Sequence, residues 1–408
     1  ESITPKGKRM KRDRLLIVIA LLLSALVLAV PLRAQDDEPA IQFPEPTGDY
    51  AVGQLAYAFT DAARDEIFTE DEDDQRQIVV TIYYPAEPDD EAELAPYIPE
   101  AAMRDFANGI GIPPMIFAMF AANSYIAAPA AEGEFPVLLF SPGFGTPTVL
   151  YTSLLQEVAS HGYIVANISH TYSVGATIFP DDQVIIGNEA GSDISTDERR
   201  DTIFAVWVAD QAFVLEQLET LNADDPILAG TMDFERIGSF GHSFGGAAAA
   251  EIAYEDPRID AAINMDGSQW GEVAERGVEQ PLMLMKSTEN PIPTDEELEA
   301  AEMTREDYEA QIEAANAQWE VLLERSPQSY LFALKGATHM TYATDMPLAA
   351  NALSFLLTPE IVGTIEGERA LEAISAYVVA FFDRYVKGDE STLDTLASEY
   401  PEVTLEAR

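Results

Sequence analysis

From residue 135 onward, short and wholly apolar segments alternate with helical ones, and this alternation limits the possible folds more than any other feature. "FPVLLFSPG" (135–143), "YIVANISH" (163–170), "FERIGSFGH" (234–242), "RIDAAINMDG" (258–267), "PLMLMKSTEN" (281–290) and "SYLFALKGATH" (329–339) read as strands. Between them lie "TVLYTSLLQEVASHG" (148–162), a long amphipathic stretch from about 196 to 221, and "FGGAAAAEIAY" (244–254), all with helical spacing. A strand that is apolar on both faces has to be covered on both faces. The pattern therefore predicts an α/β fold with a mostly parallel central sheet between two helical layers. "QIVVTIYYPAE" (77–87) reads as a further strand ahead of this series.

The rest of the chain frames this core. Residues 6–14 are basic and 15–30 form an unbroken apolar run ending near Ala34, the pattern of an export signal. Sixteen apolar residues fall short of the roughly twenty that a spanning helix needs, so a cleaved signal over 1–34 is preferred to an anchor through 15–30. Residues 35–49 read as an acidic linker, and 50–408 as one catalytic domain. Insertions interrupt it at about 89–133 and 291–327. The first contains "IPPMIFAMFA" (112–121), either a buried lid segment or an interfacial lipid contact. The second is strongly helical and acidic, and reads as a solvated insertion.

Charge and composition exclude several functions. Beyond residue 34 the chain carries 16 Lys+Arg against 69 Asp+Glu, which repels nucleic acid. There is no cysteine, so neither disulfides nor thiolate chemistry is available. The four histidines show no metal-ligand spacing, and neither a metal nor an organic cofactor is expected.

Chemistry concentrates at "GHSFGG" (241–246), where a strand turns directly into a helix. Glycines two residues before and after Ser243 permit a bend that side chains would block, and the bend would hold the hydroxyl out at a helix N-terminus. A serine needs a base, and the base needs an orienting carboxylate. His339 is the one histidine after Ser243, just past a strand. Two acids end intervening strands, Asp266 in "NMDG" and Glu289 in "STEN", and spacing alone leaves both open. Backbone N–H groups of Phe244 and of the "SPGFG" loop (141–145) would form an oxyanion hole. His170 ends a strand on the same side and is either structural or, with Gly143, a candidate for lining the substrate site. His161, at a helix C-terminus, is expected to be structural. His242 is expected to point away from the substrate and pack beneath the bend.

Three segments resemble the platelet-activating factor acetylhydrolases of the type II, lipoprotein-associated-like group. They are "LLFSPGFGTPTVLYTSLLQEVASHGYIVANISH", "GHSFGGAAAAEIAYEDPRIDAAINMDG" and "LKGATHMTYATD". The resemblance spans roughly 50–88, 134–290 and 328–345. It implies the α/β-hydrolase fold, with Ser243 as nucleophile, Asp266 rather than Glu289 as acid, His339 as base, and Phe144 and Phe244 as oxyanion donors. It also implies short-acyl ester substrates, lipid or small-molecule. The chain departs from the animal members at Pro142, where they carry histidine, and in both insertions. The alternatives are a general carboxylesterase, lipase or polyester hydrolase, or a binding protein on a hydrolase scaffold.

Overall fold

The computed structural model describes residues 41–300, 303–389 and 393–408. The segment 1–34 lies outside the described residues, as does the beginning of the segment read as a linker. The strands are β1 (Ile41–Gln42), β2 (Ala51–Asp65), β3 (Gln75–Ala86), β4 (Leu94–Pro96), β5 (Phe120–Ile126), β6 (Phe135–Ser141), β7 (Ile164–Ser169), β8 (Ala176–Ile178), β9 (Val184–Ile186), β10 (Met232–His242), β11 (Ala261–Met265), β12 (Leu282–Ser287), β13 (Ser329–Leu334) and β14 (Val403–Ala407). Twelve form one sheet, ordered β1-β5-β2-β3-β7-β6-β10-β11-β12-β13-β14 with β4 paired to β5, while β8 and β9 make a separate hairpin.

The six strands from β7 across to β13 are mutually parallel. β3 runs antiparallel to β7 and to β2, and β14 closes the far edge antiparallel to β13. Leu138 and Phe140 of β6 pack into one apolar cluster, and Val137 and Leu139 into another. Because strand side chains alternate, a run such as "VLLF" must feed both faces, and so the sheet is covered twice. Each fully buried Leu, Val or Phe contributes about 1.5–3 kcal/mol. On one face lie helices α3 (Asp197–Asp224), α4 (Phe244–Glu255) and α5 (Arg305–Arg325); on the other lie α2 (Thr152–Ser160) and α6 (Gly367–Phe382). Phe382 of α6 meets Phe240 of β10 edge-on at 5.6 Å, so the aromatic face of that helix rests on the sheet. Among the described residues, no helix is long and apolar enough to cross a membrane.

Three segments differ from their sequence reading. Residues 41–49 are not a free linker: Phe43 is buried against Phe120, and Thr47 and Gly48 hydrogen-bond Glu157 and Ser160. The 89–133 insertion holds α1 (Glu100–Gly109) and contributes β5 to the sheet itself, between β1 and β2. Within it Ile116, Phe117 and Phe120 are buried in a separate apolar cluster and Met115 is exposed. The acidic helix α5 buries Trp319, Leu322 and Leu323, one stripe at helical spacing, while its other faces meet solvent.

Candidate active site

The bend after β10 explains the glycines around Ser243. Ser243 has φ +56° and ψ −120°, a conformation that side-chain-bearing residues rarely adopt. A Cβ on Gly241 would lie 2.5 Å from the Ser141 carbonyl oxygen, and one on Gly245 would lie 2.3 Å from the carbonyl oxygens of Ser141 and Pro142. The helix therefore starts hard against the end of β6, and only glycine fits at either position. The Ser243 N–H donates to the Met265 carbonyl at 2.8 Å, which ties the bend to β11.

His339 follows β13 on a short 3₁₀ turn (His339–Tyr342). Its Nε2 is 3.0 Å from Ser243 Oγ, and its Nδ1 is 2.7 Å from Asp266 Oδ2. A carboxylate only accepts, so Nδ1 carries the proton and Nε2 is free to accept from the serine hydroxyl. Asp266, at φ +58°, sits just beyond β11 with its side chain largely buried. Its Oδ1 accepts from the Ser287 N–H at 2.8 Å, and the Ser287 hydroxyl lies 2.8 Å from both carboxylate oxygens. Asn290 donates to Ser287 Oγ and accepts the His339 N–H at 2.7 Å.

Ser287 and Asn290 are the site residues that sequence reasoning missed. They flank Glu289 in "STEN", and the available signal was polar side chains at the carboxyl end of a parallel strand. Glu289 itself is exposed and accepts from the Thr364 hydroxyl at 2.6 Å, away from His339. Of the two acids left open by spacing, it is Asp266 that reaches the histidine.

The Phe244 N–H opens α4, and the Phe144 N–H lies in the loop after β6; among the described residues no backbone group accepts from either. The two rings meet at 5.2 Å, and Trp207 packs edge-on against Phe244 at 5.1 Å. This aromatic cluster packs the loop after β6 against the start of α4.

The two remaining candidates are corrected. His170 is fully buried, stacked on Trp207 at 3.9 Å, with Nδ1 2.9 Å from Asp210 and Nε2 3.0 Å from Ser141 Oγ. Burial lowers its pKa, against the Asp210 contact, and it belongs to the buried network that joins Arg76, Asp210 and Glu66. Burial alone would raise the Asp210 pKa; the Arg76 charge beside it overrides this and holds it well below the usual carboxylate range. The Gly143 N–H donates to the Tyr151 hydroxyl at 2.9 Å, and its Cα faces His242 and Thr146, so it does not line the substrate site. His161 bonds Glu157 and His242 packs beneath the bend, both as expected.

Ser243, Asp266 and His339 open into a cleft of about 920 Å³. Trp270, Lys286 and Ile292 line it, and Tyr308, Ile312 and Trp319 of α5 form the opposite wall. Trp319 Nε1 donates to the Gly267 carbonyl at 2.9 Å, anchoring the insertion next to Asp266. A hollow of about 990 Å³ between α3, α4 and α5 shares Trp270 but contains none of the three residues.

A strained serine between a parallel strand and a helix, a histidine beyond a later strand and a mostly parallel sheet define the α/β-hydrolase fold. The sequence matches the family described as platelet-activating factor acetylhydrolase, isoform II, over residues 36–201 and 214–400, and the chain belongs to that family. A probable 1-alkyl-2-acetylglycerophosphocholine esterase from Arthroderma benhamiae is 29% identical over 66% of this chain and 65% of its own. The platelet-activating factor acetylhydrolase of Cavia porcellus is 25% identical over 65% of this chain and 61% of its own. The chain thus spans a little under two thirds of the length of these relatives. Among solved structures, a ferulic acid esterase from Streptomyces cinnamoneus superposes with a TM-score of 0.73 at 27% identity, covering 90% of this chain and 99% of that one.

Proposed function

We propose that the chain is an exported serine hydrolase that cleaves carboxylic esters with short acyl groups. The observation that carries this reading is the continuous line Asp266–His339–Ser243, with hydrogen-bond distances of 2.7 and 3.0 Å. Ser243 Oγ attacks the ester carbonyl while His339 Nε2 takes its proton, and Asp266 stabilises the imidazolium. The Phe144 and Phe244 N–H groups hold the oxyanion. The C–O bond to the alcohol then breaks and His339 returns the proton to the leaving oxygen. Water attacks the acyl-enzyme by the same route and releases the acid. The basic-then-apolar leader over 6–30 supports export, which N-terminal sequencing of protein recovered outside the cytoplasm would test.

The names of the curated relatives favour an acetylated glycerophosphocholine as substrate. A second reading, an aromatic acyl ester, is favoured by the Trp270, Tyr308 and Trp319 side chains lining the cleft and by the ferulic acid esterase likeness. A panel of p-nitrophenyl acetate, butyrate and octanoate, a short-acyl phospholipid and methyl ferulate, run on wild type and Ser243→Ala, separates the two. Phospholipid cleavage lost in Ser243→Ala supports the first reading, and preference for methyl ferulate supports the second. Failure of a fluorophosphonate to label Ser243 would leave a binding protein on a hydrolase scaffold.

A further inference from the structure

Beneath the nucleophile runs a chain of hydrogen bonds that the reaction above does not use. The Gly143 N–H donates to the Tyr151 hydroxyl at 2.9 Å, that oxygen is 2.8 Å from His242 Nδ1, and His242 Nε2 is 3.0 Å from the His339 carbonyl oxygen. Tyr151 and His242 are both buried. The directions follow from the end groups. A carbonyl only accepts, so His242 Nε2 carries a proton. Burial first, and the neighbouring His339 second, lower the His242 pKa well below the ordinary imidazole value, so the ring is neutral and Nδ1 accepts. The Tyr151 hydroxyl then donates to Nδ1 and accepts from Gly143.

The two ends of this chain are significant. Gly143 immediately precedes Phe144, whose amide is the oxyanion donor of the β6 loop. His339 is the base itself. The two loops come from distant parts of the sequence, and the chain joins them underneath Ser243. The His242 ring also lies 4.6 Å from the His339 ring, centroid to centroid. A neutral ring at that distance leaves His339 free to take a proton without like-charge repulsion.

We infer that Tyr151 and His242 are positioning residues: they hold the Phe144 amide and the His339 imidazole at a fixed separation across the nucleophile. The inference rests on the proposed roles of Ser243 and His339. Sub-ångström placement matters most when charge develops on the oxyanion, so loss of the chain should raise the barrier rather than weaken substrate binding.

The test starts with Tyr151→Phe, which keeps the ring packed on Phe140 and removes the hydroxyl. The expected result is a fall in kcat of about 10- to 100-fold with KM changed less than about twofold. Binding of a trifluoromethyl ketone, which mimics the tetrahedral intermediate, should weaken by the same factor. Tyr83→Phe is the control, since it removes an equally buried hydroxyl 3.5 Å from Thr152, outside the chain; it should leave kcat unchanged. Should Tyr151→Phe fold poorly, His242→Gln can be set against His242→Leu. Gln can still donate toward the His339 carbonyl and should be about tenfold more active.

Amide exchange supplies a readout that needs no activity. Tyr151→Phe should speed exchange in residues 141–146 and also in 338–342. Wild-type turnover that survives Ser243→Ala would remove the serine-hydrolase reading while leaving this coupling measurable. The inference is overturned if kcat and ketone affinity stay within twofold of wild type, if His242→Gln and His242→Leu are equally active, or if faster exchange is confined to 141–146.

Discussion

Asp266 contacts His339 through Oδ2 at 2.7 Å, while its Oδ1 accepts the Ser287 N–H at 2.8 Å. Oδ2 thus orients the imidazole while Oδ1 takes the backbone N–H at the end of β12, and the Ser287 hydroxyl lies within reach of both oxygens. Asp266→Asn can present an N–H where the histidine needs an acceptor, so kcat should fall about 10³- to 10⁴-fold with the fold intact. Ser287→Ala removes the hydroxyl contact to the carboxylate but keeps the N–H bond to Oδ1, so it should cost less, about three- to tenfold in kcat. Glu289→Gln should be silent, because Glu289 bonds Thr364 instead. Steady-state kinetics on one soluble ester would check all three, and a Glu289→Gln loss comparable to that of Asp266→Asn would reverse the assignment.

Glycine at 245 and glycine at 145 are required for different reasons. At Gly245 a Cβ would sit 2.3 Å from two backbone carbonyl oxygens, where nothing can move aside without separating α4 from β6. Gly245→Ala should therefore destabilise by about 3 kcal/mol or more and lose activity together with the fold. At Gly145 the space is open and φ is +68°, so Gly145→Ala meets only backbone strain, about 1–2 kcal/mol. Urea unfolding of the two variants should rank them in that order.

Legibility in the sequence followed how local the signal was. The parallel strands β6, β7, β10, β11, β12 and β13 and the Ser243 bend were readable because a doubly buried strand must be apolar throughout and a strained serine needs flanking glycines. β2 was missed: "AVGQLAYAFTDAARD" is alanine-rich with exposed alternate positions, so little in it distinguishes a strand from a loop. β14 was missed because it is a short edge strand whose pairing with β13 is set by a contact far along the chain. The role of His170 stayed open because strand order gives the end of the sheet a residue occupies, but not whether its side chain faces solvent or, as here, a buried Asp210. Ser287 and Asn290 act only through tertiary hydrogen bonds.

The buried Arg76 should be among the costliest positions in the protein. Its guanidinium bonds Asp210, Glu66 and the Thr171 carbonyl. Arg76→Met would leave two buried carboxylates short of a counter-charge, and Arg64 satisfies Asp210 only in part. A loss of about 3–5 kcal/mol is expected, because removing one partner leaves an uncompensated charge. A double variant, Arg76→Met with Asp210→Leu, should recover part of that loss, and chemical denaturation measures both.

Asp345 gives the fold a pH dependence of predictable sign. It is fully buried, accepts the Ser153 N–H at 3.0 Å, and has Oδ2 2.9 Å from the Tyr97 hydroxyl. That hydroxyl is also 2.9 Å from the Val149 carbonyl oxygen, and its single hydrogen cannot serve both. A protonated Asp345 resolves the conflict by donating to Tyr97 while Tyr97 donates to Val149. Burial accordingly pushes the Asp345 pKa up to about 6, against the opposing hydrogen bonds. In the unfolded chain the group titrates near 4. Between these values the folded state binds more protons than the unfolded one, so stability falls as pH rises through that window and the loss is complete above about pH 7. Asp345→Asn removes the titration and can still donate to Tyr97. Its stability relative to wild type should therefore rise by about 1 kcal/mol between pH 5 and pH 7, read from urea unfolding at each pH. A difference that stays constant across that range would mean that Asp345 is already charged at pH 5 and that Tyr97 bonds the carboxylate rather than Val149.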